Sequence, residues 1–263
     1  MNTPLPPRTQ AGYPTASSLG ELQANLSDIH ARIHAACQRA GRDTQDVRLL
    51  PVSKTVDESR IRLAYQAGCR VLGENKVQEA FRKWEAFTDE LPDLNWAVIG
   101  HLQTNKAKLV ARFASEFQAL DSLRIAETLD RHLQEQGRAL DVYVQVNTSG
   151  EASKFGLSPE DVLAFVRQLP AYSALRVRGL MTLARFSSDE EHVRPCFTRL
   201  RTLRDQLRQD SPYAEQIQEL SMGMSGDFEL AIQEGATTVR VGQAIFGART
   251  RPDSYYWPEA NKT

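Results

Sequence analysis

The run Val47-Arg48-Leu49-Leu50-Pro51-Val52-Ser53-Lys54-Thr55 is a short, mostly apolar stretch that ends on a lysine just where a helical pattern begins. Its length and composition read as a buried strand. A lysine at the carboxyl end of such a strand, facing a site rather than solvent, can lose enough hydration to act as a neutral amine and form a Schiff base. The plainer alternative is a lysine that simply reaches water, so its neighbours decide between the two.

Working outward, the same pattern recurs. Short apolar runs lie near 47–53, 70–73, 95–99, 117–120, 140–147, 175–181, 218–221 and 237–241, and helical stretches near 57–67, 76–86, 104–113, 122–136, 159–168, 189–209 and 226–234 separate them. Strands alternating with helices predict βα units and a parallel sheet. Eight of them, with a last short helix beginning near Gln243, predict a single α/β domain, a (β/α)8 TIM barrel. An open doubly wound sheet is the alternative. Ahead of the first strand, Leu22, Leu26, Ile29, Ile33 and Ala36 recur at helical spacing and Gly41 stops the run, which adds an N-terminal helix. Residues 1–19 are rich in Pro, Ser and Thr and are expected to form a disordered tail, with the barrel over 20–250 and a C-terminal tail over 251–263.

The chain has 263 residues, with 32 basic and 33 acidic side chains and a net charge of -1, so no nucleic-acid footprint or polybasic membrane surface is expected. No segment approaches the length of a membrane span, and the first residues lack the apolar core of a secretory signal. Cys37, Cys69 and Cys196 are odd in number and far apart, which predicts reduced thiols and a cytoplasmic location.

In a barrel, ligands sit at the carboxyl ends of the strands. The residues there are Lys54, Gly73-Glu74-Asn75, Gly100-His101-Leu102-Gln103-Thr104-Asn105-Lys106, Asn147-Thr148-Ser149-Gly150-Glu151, Met181-Thr182, Ser221-Met222-Gly223-Met224-Ser225-Gly226 and Arg240-Val241-Gly242-Gln243. The loops after strands 7 and 8 combine hydroxyls, glycines and the start of a short helix, a setting suited to phosphate. Barrel closure puts strand 1 beside strand 8, so Lys54 and Arg240 can face one ligand. An aldehyde for the amine, a phosphate for the loops and a ring nitrogen for the arginine describe pyridoxal phosphate (PLP), with Arg240 keeping the pyridine nitrogen unprotonated and the ring a weaker electron sink.

The segments Pro51-Val-Ser-Lys54, Leu72-Gly-Glu-Asn75-Lys-Val-Gln-Glu79, Ile99-Gly-His-Leu-Gln-Thr-Asn-Lys106, Val146-Asn-Thr-Ser-Gly-Glu-Ala-Ser-Lys-Phe-Gly156, Arg178-Gly-Leu-Met-Thr182, Ser221-Met-Gly-Met-Ser225 and Val239-Arg-Val-Gly-Gln-Ala-Ile-Phe-Gly247 together resemble the pyridoxal phosphate homeostasis protein family, which is alanine racemase-like. They cover nearly the whole globular region in order. The resemblance implies a fold-type III barrel, like the alanine racemase N-terminal domain, with PLP as an internal aldimine on Lys54. It implies phosphate contacts from Ser221, Ser225 and the backbone of Gly242 and Gln243, Arg240 at the pyridine nitrogen and Asn75 near the ring. Two positions depart from the family pattern. The third strand commonly reads Trp-His-Phe-Ile-Gly but here is Trp96-Ala97-Val98-Ile99-Gly100, and the usual threonine after the last glycine is Gln243.

The resemblance leaves two functions: a carrier that buffers PLP and delivers it to PLP-dependent apo-enzymes without catalysis, or an amino-acid racemase with Lys54 as one base. The resembling racemases add a β domain after the barrel and share a site across a dimer. Only about twenty residues follow Gly242 here, too few for such a domain, which favours a monomeric carrier with no catalytic residues. Several other groups have plainer readings. His30 and His34 lack a third ligand, so no metal is expected. His101 can serve as a base, line the site or have no role there, and Glu74 and Glu151 can form a carboxylate pair or pair instead with Lys106 or Lys154. Met181, Met222 and Met224 can pack on a ring or fill the core, and the charges over 189–209 suit a solvated helix face.

Overall fold

The computed structural model describes residues 12–210 and 215–248. Among them the strands are β1 (Arg48–Pro51), β2 (Val71–Glu74), β3 (Asn95–Val98), β4 (Glu116–Leu120), β5 (Leu140–Gln145), β6 (Leu175–Met181), β7 (Glu219–Met224) and β8 (Thr238–Val241). The helices are α1 (Leu19–Arg39), α2 (Glu58–Gln66), α3 (Val77–Phe87), α4 (Ala107–Phe113), α5 (Leu123–Glu135), α6 (Val162–Val166), α7 (Glu190–Asp210), α8 (Phe228–Gln233) and α9 (Gln243–Phe246).

Every strand pair is parallel, and β1 pairs with β8 in the register Leu50↔Arg240. That pairing excludes the open sheet. On its other side β1 meets β2 through a bridge between Val52 and Gly73, with the Ser53 N–H donating to Gly73 O at 3.0 Å, so the sheet closes on itself. All five residues of β4 are buried, Glu116 and Gln118 among them, because helices cover its outer face and the closed barrel its inner one. The layer between sheet and helices is built from large side chains such as Ile29, Phe87, Trp96, Phe117, Phe197 and Phe228, each almost wholly buried.

A chain of polar side chains crosses the barrel interior. Arg48 on β1 binds Glu116 on β4, Gln118 donates to Glu116, Ser221 on β7 donates to Gln118, and Arg240 on β8 donates to Ser221. Contacts that cross from β4 to β7 can only run through the inside of a closed barrel.

Two features refine the expected elements. Pro159 opens a 3-10 turn and Pro170 lies in another, which confine α6 to five residues. Arg194 and Arg201 on α7 reach Glu234 at 2.6 and 2.8 Å, so part of the helix face expected to be solvated ties α7 to the end of α8. The expected disordered tail needs correction at its inner end. Ala16 is buried, its N–H donates to Phe246 O, and Tyr13 O accepts from Ala248 N, so this segment latches onto the end of α9. Residues 1–11 and 251–263 of the expected tails lie outside the described residues.

Candidate functional site at the carboxyl ends of the strands

Lys54 is half-buried in the turn that follows β1. Alternation along β1 puts Leu50 and Val52 on the face shared with Arg240, and Lys54 is the next even position. The turn is held unusually firmly. Thr55 has φ +65°, and it is the single non-glycine residue in the left-handed region among the described residues. A β-branched residue there costs about 1–3 kcal/mol and persists only when its surroundings fix it.

Those surroundings come from outside the barrel wall. The Thr55 N–H donates to Glu79 Oε1 at 2.8 Å. Lys83, on α3 and only 2% exposed, donates to Ser53 O, Glu74 Oε1 and Glu79 Oε1, each at 2.8 Å. Ser53 Oγ also donates to Glu74 Oε1, at 2.6 Å. Burial pushes the Glu74 carboxyl above its usual range, with Lys83 pulling the other way. Burial acts on Glu79 in the same sense, but Lys83 and the Thr55 N–H outweigh it and hold that carboxyl low.

At the seam of β7 and β8 a second cluster faces the rim. Ser225 Oγ accepts from the N–H groups of Gly242 and Ala244 at 3.3 and 3.4 Å, so two backbone donors converge beside Gln243, the first residue of α9. Gly223 makes the turn into this loop possible. Its φ is +93°, and an added Cβ would lie 2.6 Å from Ala231 Cβ and 2.9 Å from Phe228 Cα.

Arg240 lies below that rim, 3% exposed, donating to Ser221 Oγ at 2.6 Å and to Thr182 O at 2.7 Å. Both acceptors are neutral. Burial pulls the guanidinium down to about 10, with Asp227 opposing, so it stays cationic at neutral pH.

Ser221 takes a different place from the one expected. It is fully buried, its hydroxyl proton goes to Gln118 Oε1 and its oxygen accepts from Arg240, so it supports Arg240 from inside the barrel and leaves the phosphate-type rim to Ser225, Gly242 and Gln243. Asn75 is half-buried at the end of β2, and its carbonyl lies so near Gly100 that a Cβ there would come within 2.2 Å of it. His101 stacks on Phe155 at 4.0 Å between centroids, with its Nδ1 3.8 Å from Asp121. Met181 and Met222 are fully buried in the core, whereas Met224 is half-buried at the end of β7. Glu74 and Glu151 do not pair with each other: Glu74 meets Lys83 and Glu151 meets Lys154. His30 and His34 are exposed on α1, and no cluster of three metal-ligating side chains occurs among the described residues. Lys83 went unnoticed in the sequence, although Glu79 and Lys83 stand four apart on one predicted helix, a spacing that signals a pair.

The rim thus offers an amine, a cradle of N–H and hydroxyl groups, and a cation beneath, which fits a flat ring carrying an aldehyde, a phosphate and an acceptor nitrogen. Comparison with known proteins points the same way. Residues 24–250 match the model of the alanine racemase N-terminal domain. The pyridoxal phosphate homeostasis protein of Aquifex aeolicus (strain VF5) is 42% identical over 224 residues, covering 85% of this chain and 96% of the relative. That of Escherichia coli (strain K12) is 38% identical over 235 residues, covering 88% and 98%. Among solved structures, PipY of Synechococcus elongatus PCC7942 with PLP bound superposes with a TM-score of 0.76 at 36% identity, covering 86% of this chain and all of that one. Alanine racemase of Clostridium difficile 630, at 15% identity and a TM-score of 0.68 over 58% of its chain, shares the fold. By residues, topology and likeness over most of its length, the chain belongs to the pyridoxal phosphate homeostasis proteins, within the alanine racemase N-terminal domain family.

Proposed function

We propose that this protein holds PLP at the carboxyl rim of its barrel, attached covalently through Lys54, and serves to buffer and deliver the cofactor rather than to catalyse a reaction. The observation that carries the reading is the seam between β1 and β8: the register Leu50↔Arg240 brings the strand that leads to Lys54 beside the strand that carries the buried Arg240 and leads on to the Ser225–Gly242–Ala244 cradle. PLP supplies the aldehyde that the Lys54 amine needs. Ser225 and the N–H groups of Gly242 and Gln243 orient the phosphate, Arg240 offers a donor to the ring nitrogen, and Asn75 lines the neighbouring strand end. Ser221 and Thr182 hold the guanidinium in place. A cationic donor at the ring nitrogen keeps that nitrogen unprotonated, which suits storage better than carbanion chemistry.

The relatives that match this chain over nearly their whole length are named as homeostasis proteins, which supports a carrier. We assign the protein to the cytoplasm, as a monomer that passes cofactor to apo-enzymes. Its three cysteines are buried and free, and no helix among the described residues is long and apolar enough to cross a membrane.

The test is an absorbance spectrum of the purified, PLP-loaded protein before and after borohydride, with the modified lysine mapped by mass spectrometry. The label is expected on Lys54 and lost in Lys54→Ala. A label on another lysine overturns the site, and amino-acid racemisation at ~1 per second or faster overturns the carrier.

A further inference from the structure

Lys83 sits where a lysine is expensive, and its contacts show what it is there to hold. A buried ion pair adds little to stability compared with apolar side chains of similar volume, so stability alone is a weak reason for one between α3 and the barrel wall. All three ammonium protons have acceptors: Ser53 O, Glu74 Oε1 and Glu79 Oε1. Ser53 O belongs to the peptide group that leads into Lys54. Glu79, held by Lys83 at i, i+4, in turn accepts the N–H of Thr55, from the peptide group that leads out of it. Both peptide groups flanking Lys54 are therefore anchored to one ion cluster behind the wall, and the residue after the lysine is kept at φ +65°. Glu74, which closes the cluster from β2, also holds the Ser53 side chain.

We propose that the Lys83–Glu79–Glu74 cluster is a positioning device for Lys54, fixing the turn on which the amine stands and so setting how long the aldehyde of the bound cofactor is retained. This rests on Lys54 being the point of attachment. Lys83, Glu79 and Glu74 act through the backbone of residues 53–55 and touch no ligand themselves. A carrier must hold its cargo and also release it. A strained turn kept in place by a clamp allows both, because loosening the clamp lets Thr55 relax and moves the amine.

The test uses the full chain with three substitutions: Glu79→Ala, Glu79→Gln and Lys83→Met. Two quantities are read. The first is hydrogen exchange at the Thr55 amide in cofactor-free protein. The second is the rate of PLP release from loaded protein after dilution, with borohydride mapping of the attachment site. Glu79→Ala is expected to speed Thr55 exchange and to raise the release rate at least tenfold, with the label still on Lys54. Glu79→Gln keeps an oxygen that accepts the Thr55 N–H and is expected to stay within about threefold of the unsubstituted protein. Lys83→Met is expected to release as fast as Glu79→Ala or faster. If Lys83→Met fails to fold, the Glu79 pair carries the test alone, since that side chain is one-fifth exposed.

An unchanged release rate in Glu79→Ala, whatever happens to its melting temperature, overturns the proposal while leaving the attachment at Lys54 intact. So does a Gln variant as fast as the Ala variant. A label on a different lysine in the unsubstituted protein is a separate result that overturns the attachment and the positioning role together.

Discussion

Glu74 shows how one side chain can serve a site and still cost the fold something. Its carboxyl is fully buried, Oε1 takes bonds from Ser53 and Lys83, and Oε2 has no hydrogen-bond partner. Burial raises its folded-state pKa above the ordinary value of 4.5. For an acid with a raised pKa, the linked stability is present below the unfolded value and is lost as pH rises through the folded one. Glu74→Gln keeps an oxygen for Ser53 and Lys83 and removes the ionisation. Denaturant unfolding at pH 5 and pH 8 should therefore show the variant gaining on the unsubstituted protein at pH 8, and a gap that does not change with pH would contradict the assignment. Glu79 carries the opposite sign: its depressed pKa contributes stability above the ordinary value, which is lost as pH falls through the folded one. Lys54 itself was legible because a lysine after an apolar run is a sequence feature. Its clamp was not, because nothing local says that Lys83 reaches back to the carbonyl of residue 53.

Single elements owe their limits to local chemistry that can be tested one residue at a time. α1 begins with a capping box: Ser18 Oγ accepts from Glu21 N, and Glu21 Oε2 accepts from Ser18 N at 3.0 Å and Ser17 N at 2.8 Å. Ser18→Ala should cost about 1 kcal/mol in unfolding free energy. Gly223, at the end of β7, should be far less forgiving. In Gly223→Ala the new Cβ meets Ala231 and Phe228 while φ stays positive, so a loss of about 1–3 kcal/mol or more is expected, together with weaker PLP binding because the Ser225 loop must move. The strands were readable because those buried on both faces appear as apolar runs, and Gly41 marked the end of α1. The segment ahead of α1 was not. Tyr13 to Ala16 are held by main-chain bonds to Phe246 and Ala248, and a Pro- and Ser-rich stretch gives no periodic sign of such a partner far along the chain. Ser221 closes the expected strand 218–221 and reads there as a rim hydroxyl, whereas β7 continues to Met224 and the Ser221 hydroxyl bonds to Gln118 inside the barrel, a partner 103 residues away that no local pattern signals.

At the scale of the whole molecule, the two ends of the barrel meet where the ligand is expected. β1 leads to the turn that carries Lys54, β8 leads into α9, and the register Leu50↔Arg240 joins them, so anything that shifts α9 also shifts the cradle of Gly242 and Ala244 against that turn. α9 has only four residues and cannot hold its own position. It is fastened from three directions: Asn25 on α1 donates to Ile245 O at 2.8 Å, Arg60 on α2 donates to Phe246 O, and the latch residue Ala16 donates to the same carbonyl. Arg60 also donates to Ala16 O at 2.9 Å, so one guanidinium joins α2, the N-terminal latch and α9. Replacing it removes charge-assisted bonds from half-buried carbonyls and should cost about 1–3 kcal/mol. Arg60→Met, which keeps the apolar stem, should therefore lower the melting temperature and also weaken PLP binding, although residue 60 lies outside the rim. Arg62→Met on the same helix is the control, because among the described residues Arg62 hydrogen-bonds only to the exposed Glu90 and otherwise lies over the Phe87 ring, away from α9, so its loss should leave binding unchanged. If both variants bind PLP as tightly as the unsubstituted chain, the position of α9 is not what holds the phosphate cradle together.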